Sequence, residues 1–393
     1  MAAVFFRSLT LHLSWFIRSF WPGKHPAAPL SGYRICILLL GMPLFACLQC
    51  LHWLGFLADE IFFRAYRKVP VHAPIFITGI PRSGTTYVHR TLAADNAHFC
   101  TVSTWEALLA PSITERKILT GLRSIDRFCG SPLKRLVDHL IAQATGDLAN
   151  IHAVTLNDVE EDYLWLLPAG GCFILSLAFP FSKWLSKMST LQDLPDSKKK
   201  QLVDFYARCV QKHLYFHGTE RRFLSKNAAF AGWIDPLQKR FPEACFLACV
   251  RHPTQALSSQ LSSLRPAREL FATDPDGSHI KKLITDVFTQ NYTTLASLTE
   301  TMPTTHLAIM DQSDLRTHDI VMLRLAGQRL ASPLGELKSP SVPNKPTPIH
   351  QHSAADYGLK NKQIEVCLLP AYQAILRSDQ RIQPETQDDG TED

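Results

Sequence analysis

The sequence predicts an α/β protein: a parallel sheet with helices on both faces, preceded by an N-terminal hydrophobic membrane helix. Three observations predict it. The short apolar runs PIFITGI (Pro74–Ile80), CFLACV (Cys245–Val250) and THLAIM (Thr305–Met310) read as buried strands. Helical patterns lie between them, among them SKKKQLVDFYARCVQKHLYF and GWIDPLQKRF, and strands alternating with helices imply a parallel sheet. A glycine-containing loop follows the first strand and runs into TTYVHRTLAAD, a helix starting at Thr85 or Thr86, which makes a P-loop-like strand–loop–helix unit.

Before the first strand the chain is of another character. From Ile35 to Ala58 it runs 24 residues without a formal charge, long enough to span a bilayer as a helix. Gly41, Pro43, Gln49 and His52 argue for a kinked or re-entrant helix rather than a straight span. The preceding VFFRSLTLHLSWFIRSFW, with Arg7 and Arg18 among aromatic and aliphatic residues, suits an amphipathic helix at an interface. Residues 1–70 are therefore expected to associate with a membrane, chiefly through residues 35–58, and residues 71–383 to form the α/β domain. PETQDDGTED, residues 384–393, reads as a disordered acidic tail. A buried helix of a soluble enzyme is the alternative for the apolar run.

Composition narrows the function. A chain of 393 residues with 46% hydrophobic residues can bury a sizeable core. The net charge of +6 suits an anionic ligand or membrane face, and no basic stripe interleaved with aromatics points to nucleic acid. Of the ten cysteines, Cys47 and Cys50 lie three apart in an apolar run that offers no other metal ligands at zinc spacing, so structural zinc is not expected.

The loop ITGIPRSGTTYV carries the chemistry. Gly79 and Gly84 have the spacing of a Walker loop, G-x-x-x-x-G-K-[ST], but Thr85 stands at the lysine position and the basic residue is Arg82. A glycine turn entering a helix aims backbone N–H groups and the positive dipole end at an anion, and Thr85 and Thr86 add hydroxyls. An arginine stays charged at any working pH and grips two oxygens at once. Further on, Arg251 ends the strand CFLACV, and Ser259 follows two helical turns later, a pairing suited to a phosphate.

PRSGTT, with Arg251 and Ser259 in order behind it, resembles the sulfotransferase superfamily that uses 3′-phosphoadenosine 5′-phosphosulfate (PAPS), in particular its arginine-loop branch of tyrosylprotein and bacterial-type carbohydrate or small-molecule enzymes. The resemblance extends from about Pro74 to Leu359 and implies a sulfotransferase-like P-loop fold. It implies that Arg82, Ser83, Gly84, Thr85 and Thr86 hold the 5′-phosphosulfate and that Arg251 and Ser259 hold the 3′-phosphate. It implies that Arg82 and Lys226 (in SKNAAF, with Ala228 where proline is usual) stabilise the transferring group. Glu106 is the implied base, with His152 second, and no metal is required. HQHSAADYGL (His350–Leu359) resembles the branch's C-terminal signature, with His352 where tyrosine is usual.

The reaction expected is in-line sulfuryl transfer from PAPS to an acceptor hydroxyl, most simply of a lipid, glycolipid or carbohydrate given the membrane segment. A membrane-associated location follows, on a bacterial inner membrane or a Golgi-type membrane. The rival reading is a P-loop kinase or NTPase, because LAIMD, ending at Asp311, mimics a Walker B strand. An inactive membrane-anchored scaffold is the third. Asp158, Glu160, Glu161 and Asp162 beside His152 read as an acceptor-pocket wall or a solvated helix start. Phe173, Phe179, Phe181 and Trp184 read as core or lid packing, and Asn291 as a possible glycosylation triplet.

Overall fold

The computed structural model describes residues 1–21, 25–132, 135–136, 156–191, 193–335, 337 and 361–384. Five parallel strands form one sheet: β1 (Ile75–Gly79), β2 (Phe99–Cys100), β3 (Arg222–Lys226), β4 (Cys245–Val250) and β5 (Leu307–Asp311), in the order β2-β3-β1-β4-β5. The three strands read from apolar runs are present, β4 with the bounds of its run and β1 and β5 shifted by one or two residues at their ends. Side chains alternate between two cores. Phe76, Phe223, Phe246 and Ile309 enter one, and Ile77, Leu224, Leu247 and Met310 the other, so the central strands are apolar on both faces.

Helices cover both faces. In the described residues they are α1 (Ala2–Phe20), α2 (Gly32–Phe62), α3 (Thr85–Ala93), α4 (Thr104–Leu108), α5 (Ile113–Phe128), α6 (Asp196–His217), α7 (Ile234–Arg240), α8 (Pro253–Phe271), α9 (Ser278–Thr301), α10 (Gln312–Thr317), α11 (Asp319–Arg329) and α12 (Asn361–Leu376). Helix α6 lies over the Phe223 face, where Leu202, Phe205, Tyr206 and Val210 are buried. Its sequence was legible as a helix because these apolar positions recur three and four apart.

The N-terminal helices pack against the same core. Trp15 stacks on Phe179 at 5.4 Å between ring centroids and donates from Nε1 to Ser182 Oγ at 3.0 Å. Phe179 and Phe181 are buried there, as core packing requires. Helix α2 is continuous through Pro43, and its Arg34, Leu38, His52, Phe56 and Asp59 are buried. Asn291 is buried within α9, so that triplet offers no surface for a glycan. His152, His350–Leu359 and residues 385–393 of the acidic tail lie outside the described residues.

Candidate functional site

Strand order places the site. From β1 the chain goes on to β2 and β3 on one side, then crosses to β4 and β5 on the other, so the order reverses between β1 and β4. Ligands of parallel sheets bind at the carboxyl ends of the strands at such a switch point. Here β1 delivers the loop Ile80–Gly84 and β4 delivers Arg251.

The loop is fixed by close backbone approach. Gly79 has φ +127°, and a Cβ there would lie 2.0 Å from Cys249 O on β4, so no other residue fits without moving the strand. Ser83 is buried, with Oγ 2.9 Å from Cys249 O, and its hydroxyl therefore pins the loop to β4. Gly84, at φ +96°, caps α3, and the first helical N–H groups of Thr85 and Thr86 have no intrahelical acceptor. Thr85 is buried and Thr86 exposed.

Arg82 takes a positive φ of 68° and donates from Nε to Ser259 Oγ at 3.2 Å. Arg251 donates from Nη1 to the Arg82 carbonyl at 3.1 Å. Three residues distant in sequence thus meet at the loop. A fourth joins them: Arg316 of α10 lies near enough to disturb Arg251, whose pKa is lowered by burial and then by the charges of Arg316 and Arg82. Arg82 and Arg251 stay protonated regardless. Among the described residues none of these three arginines forms an ion pair within 4 Å. A cluster of unneutralised positive charge beside a helix N-terminus calls for a ligand with several negative charges. Arg316 had no sequence signal, because it sits on a short helix after β5 that only strand pairing brings beside β4.

Lys226 ends β3 opposite Ile77 and pairs with Glu161. Side chains alternate along β3: Phe223 and Ser225 face α6, where Tyr206 donates from Oη to Ser225 Oγ at 3.2 Å. Leu224 and Lys226 face the other way, toward α3, and burial together with Lys226 and Arg90 lowers the pKa of His89 on α3 to about 3. Beneath this pair lies a buried network. Asp162 accepts from Tyr206 Oη at 2.5 Å, from Ser225 Oγ at 3.1 Å and from Asn227 Nδ2, while Asn227 Oδ1 accepts from Tyr163 N at 2.9 Å. Burial pushes the Asp162 carboxyl up to about 7. Glu160 is half-buried, and its pKa is raised by burial and by Glu161 next to it.

Glu106 belongs to a different cluster. It stands at the third position of α4, where Oε2 accepts from Ser103 N at 3.0 Å and Ser103 Oγ at 2.6 Å, a capping box. Its Oε1 accepts from His217 Nε2 at 2.5 Å and lies 3.9 Å from both Arg116 Nε and His213 Nδ1. Burial alone would push its carboxyl up, but His213, His217 and Arg116 together hold it below the usual carboxylate range. Glu106, His213 and His217 offer ligand atoms within 4.8 Å of one another. Arg116 Nη1 stands 3.1 Å from His213 Nδ1, and Cys100 Sγ 3.1 Å from His213 Nε2, so the cluster has the chemistry of an internal ion pair rather than of a cation site. Asp311 is likewise committed: Oδ1 accepts from Ser313 N at 2.8 Å and Oδ2 from Tyr372 Oη at 2.6 Å, as an N-cap of α10.

Comparison with known proteins agrees with the fold. The sulfotransferase STF1 from Mycobacterium tuberculosis H37Rv superposes with a TM-score of 0.69 at 18% identity, covering 92% of each chain. The sulfotransferase STF9 from Mycobacterium avium gives 0.71 at 15% identity over 96% of this chain and 95% of that one. No curated protein matches the sequence. Residues 74–324 match the model described as the sulfotransferase family, and since that is more than half of the chain, the protein belongs to the sulfotransferase family.

Proposed function

We propose that the protein transfers the sulfuryl group of PAPS to an acceptor hydroxyl, on a lipid, glycolipid or carbohydrate, at a membrane surface. The observation that carries this reading is the meeting of Arg82, Ser259 and Arg251 at the mouth of a P-loop that has no Walker lysine. The loop N–H groups and Thr86 would hold the 5′-phosphate end, and Arg251 with Ser259 the 3′-phosphate. The Gly79 cradle and the unneutralised arginines fit such a ligand. PAPS supplies the sulfuryl group and leaves as adenosine 3′,5′-bisphosphate. The acceptor oxygen bonds to sulfur as the sulfur–oxygen bond to the leaving phosphate breaks, and the acceptor proton passes to a base. Arg82 and Lys226 would neutralise charge on the oxygens of the transferring group, which is where positioned cations contribute most.

For the base we propose Glu161. It contacts Lys226, whereas both oxygens of Glu106 are already bonded on the α6 side of the sheet. A carboxylate beside the sulfuryl-binding lysine is within reach of a hydroxyl attacking that group. The same contact holds Lys226 in position.

Calorimetric titration with adenosine 3′,5′-bisphosphate and with ATP, both in EDTA, tests the donor reading. Metal-free binding of the bisphosphate, lost in Arg251→Ala and much weaker for ATP, is the expected result. ATP preference that appears only on adding Mg²⁺ would overturn it in favour of a kinase. The commitment of both Asp311 oxygens weighs against that outcome.

A further inference from the structure

We infer that helices α1, α2 and α5 form one face that seats in the interfacial layer of an anionic bilayer, with α2 lying along the leaflet instead of crossing it. This deepens the membrane-surface reading above and rests on it.

The first argument is geometric. Helix α2 touches the catalytic body at both ends. Arg34 donates from Nη1 to Phe271 O at 2.8 Å and from Nη2 to Ala178 O at 3.1 Å. Asp59 Oδ2 accepts from Lys212 Nζ on α6 at 2.7 Å, and both side chains are wholly buried. Arg34 and Asp59 are about 38 Å apart along a helix rising 1.5 Å per residue. A crossing helix must clear about 30 Å of hydrocarbon free of polar protein. Here both ends of that length, Arg34 and Asp59, are tied to the same body, so a crossing α2 would drag the sheet domain into the bilayer.

The second argument is the outward face. Leu40, Leu44, Leu51, Leu54 and Phe62 of α2 are each more than half exposed. Every exposed residue of α2 between positions 35 and 58 is uncharged. Phe6, Leu13 and Trp21 extend the surface along α1, and Ile118, Ile125 and Phe128 along α5. Helices α2 and α5 are locked together: His52 Nδ1 bonds Glu115 Oε1 at 2.6 Å, and a Cβ on Gly55 would lie 2.4 Å from Ser112 Oγ. Apolar area this extensive on three helices marks an interaction surface.

Charge selects the occupant. Across residues 1–68 and 113–128, every exposed charged side chain among the described residues is basic, including Arg18, Arg64, Lys117, Arg123 and Arg127. The acidic groups Asp59 and Glu115 turn inward to Lys212 and His52, Glu60 is neutralised by Arg67, and Glu60 and Asp126 are half-buried. A second copy packed on this face would bring like charges together. An anionic headgroup layer complements them, and the apolar face beneath suits an interfacial helix.

The test uses the full chain and vesicles of phosphatidylglycerol mixed with phosphatidylcholine, against phosphatidylcholine alone. Binding is expected to favour the anionic vesicles and to weaken at least about tenfold in the double variant Arg123→Glu/Arg127→Glu. Fluorophores placed singly on the exposed Cys36, Cys47 or Cys50, with the other exposed cysteines changed to serine, then report depth by lipid-borne quenchers. Equal depths at Cys36 and Cys50, about 21 Å apart along the helix, support the in-plane seat. A steady change of depth from one to the other would overturn it in favour of a span. A stable dimer in light scattering, broken by Leu44→Asp/Leu51→Asp without any vesicle binding, would overturn it in favour of a second copy. A cooperative urea transition followed by tryptophan fluorescence shows that each variant is folded. Titration of the same preparations with adenosine 3′,5′-bisphosphate separates the two readings, because vesicle binding by folded protein without nucleotide binding sinks the donor assignment and leaves this face standing.

Discussion

Replacing Asp162 by asparagine probes the network that holds the end of β3 beside Lys226. Asp162 is 1% exposed, and its carboxyl stays protonated up to about pH 7 in the folded protein, against 3.8 in the unfolded chain, because burial outweighs its three hydrogen-bond donors. The sign follows directly. Between these two values the native state binds a proton that the unfolded state has lost, so stability from this group is fully present below about pH 3.8 and is lost as pH rises through about 7. A gap of about three pH units at about 1.4 kcal/mol each is worth about 4 kcal/mol over the whole range. Asparagine has the same shape and cannot ionise. Its Nδ2 would donate to Tyr206 Oη, and Tyr206 would turn its proton to Ser225 Oγ, 3.2 Å away. Urea unfolding followed by tryptophan fluorescence, at fixed ionic strength from about pH 5 to about pH 8, should show Asp162→Asn gaining on the wild type by about 2–3 kcal/mol as pH rises. A difference that stays constant with pH would refute the reasoning. A wild type that gains on the variant as pH rises would show that the three donors hold Asp162 ionised.

Three further outcomes follow from the geometry. Arg251→Ala removes a guanidinium from the proposed 3′-phosphate site and should weaken adenosine 3′,5′-bisphosphate binding by about 1.5–3 kcal/mol, roughly 10- to 150-fold, read by calorimetry. Glu161→Gln keeps the side chain's shape, and should lower kcat about 10²–10⁴-fold if that carboxylate takes the proton, while nucleotide affinity stays within a few-fold. Lys212→Met leaves the buried Asp59 carboxylate with the donors of Ile113 and Thr114 but no counter-charge, and should cost about 3 kcal/mol of stability; the double variant with Asp59→Asn should recover part of this in denaturant unfolding, a recovery absent if the pair contributes nothing.

Much of the fold was readable because it is written in local periodicity. Strands β1, β4 and β5 are unbroken apolar runs, since both of their faces are covered, and α6 shows the three-and-four spacing of a one-sided helix. The glycine loop after β1 was legible for a steric reason: Gly79 is required by the Cys249 carbonyl and Gly84 by a left-handed turn. Arg251 and Ser259 were picked out by the family resemblance, and the structure brings both to Arg82. The two-residue strand β2 carries almost no pattern of its own, and its position beside β3 comes from pairing.

The sequence by itself determined strands β1, β4 and β5, the glycine loop after β1 and the apolar N-terminus, because each depends on residues near one another in the chain. Tertiary structure alone decided which carboxylate shares a side of the sheet with Lys226. Glu106 and Glu161 are both acidic residues near a strand end or turn, yet the alternation of β3 sends Lys226 to Glu161, while the α4 capping box and His217 hold Glu106 against α6. It alone brought Arg316 to Arg251 across the β4–β5 pairing. It alone showed that the apolar run of α2 has an inner face anchored by Arg34, His52 and Asp59. Hydropathy sums over all sides of a helix, whereas burial and charge pairing act on each side separately, and only the packed chain tells the sides apart.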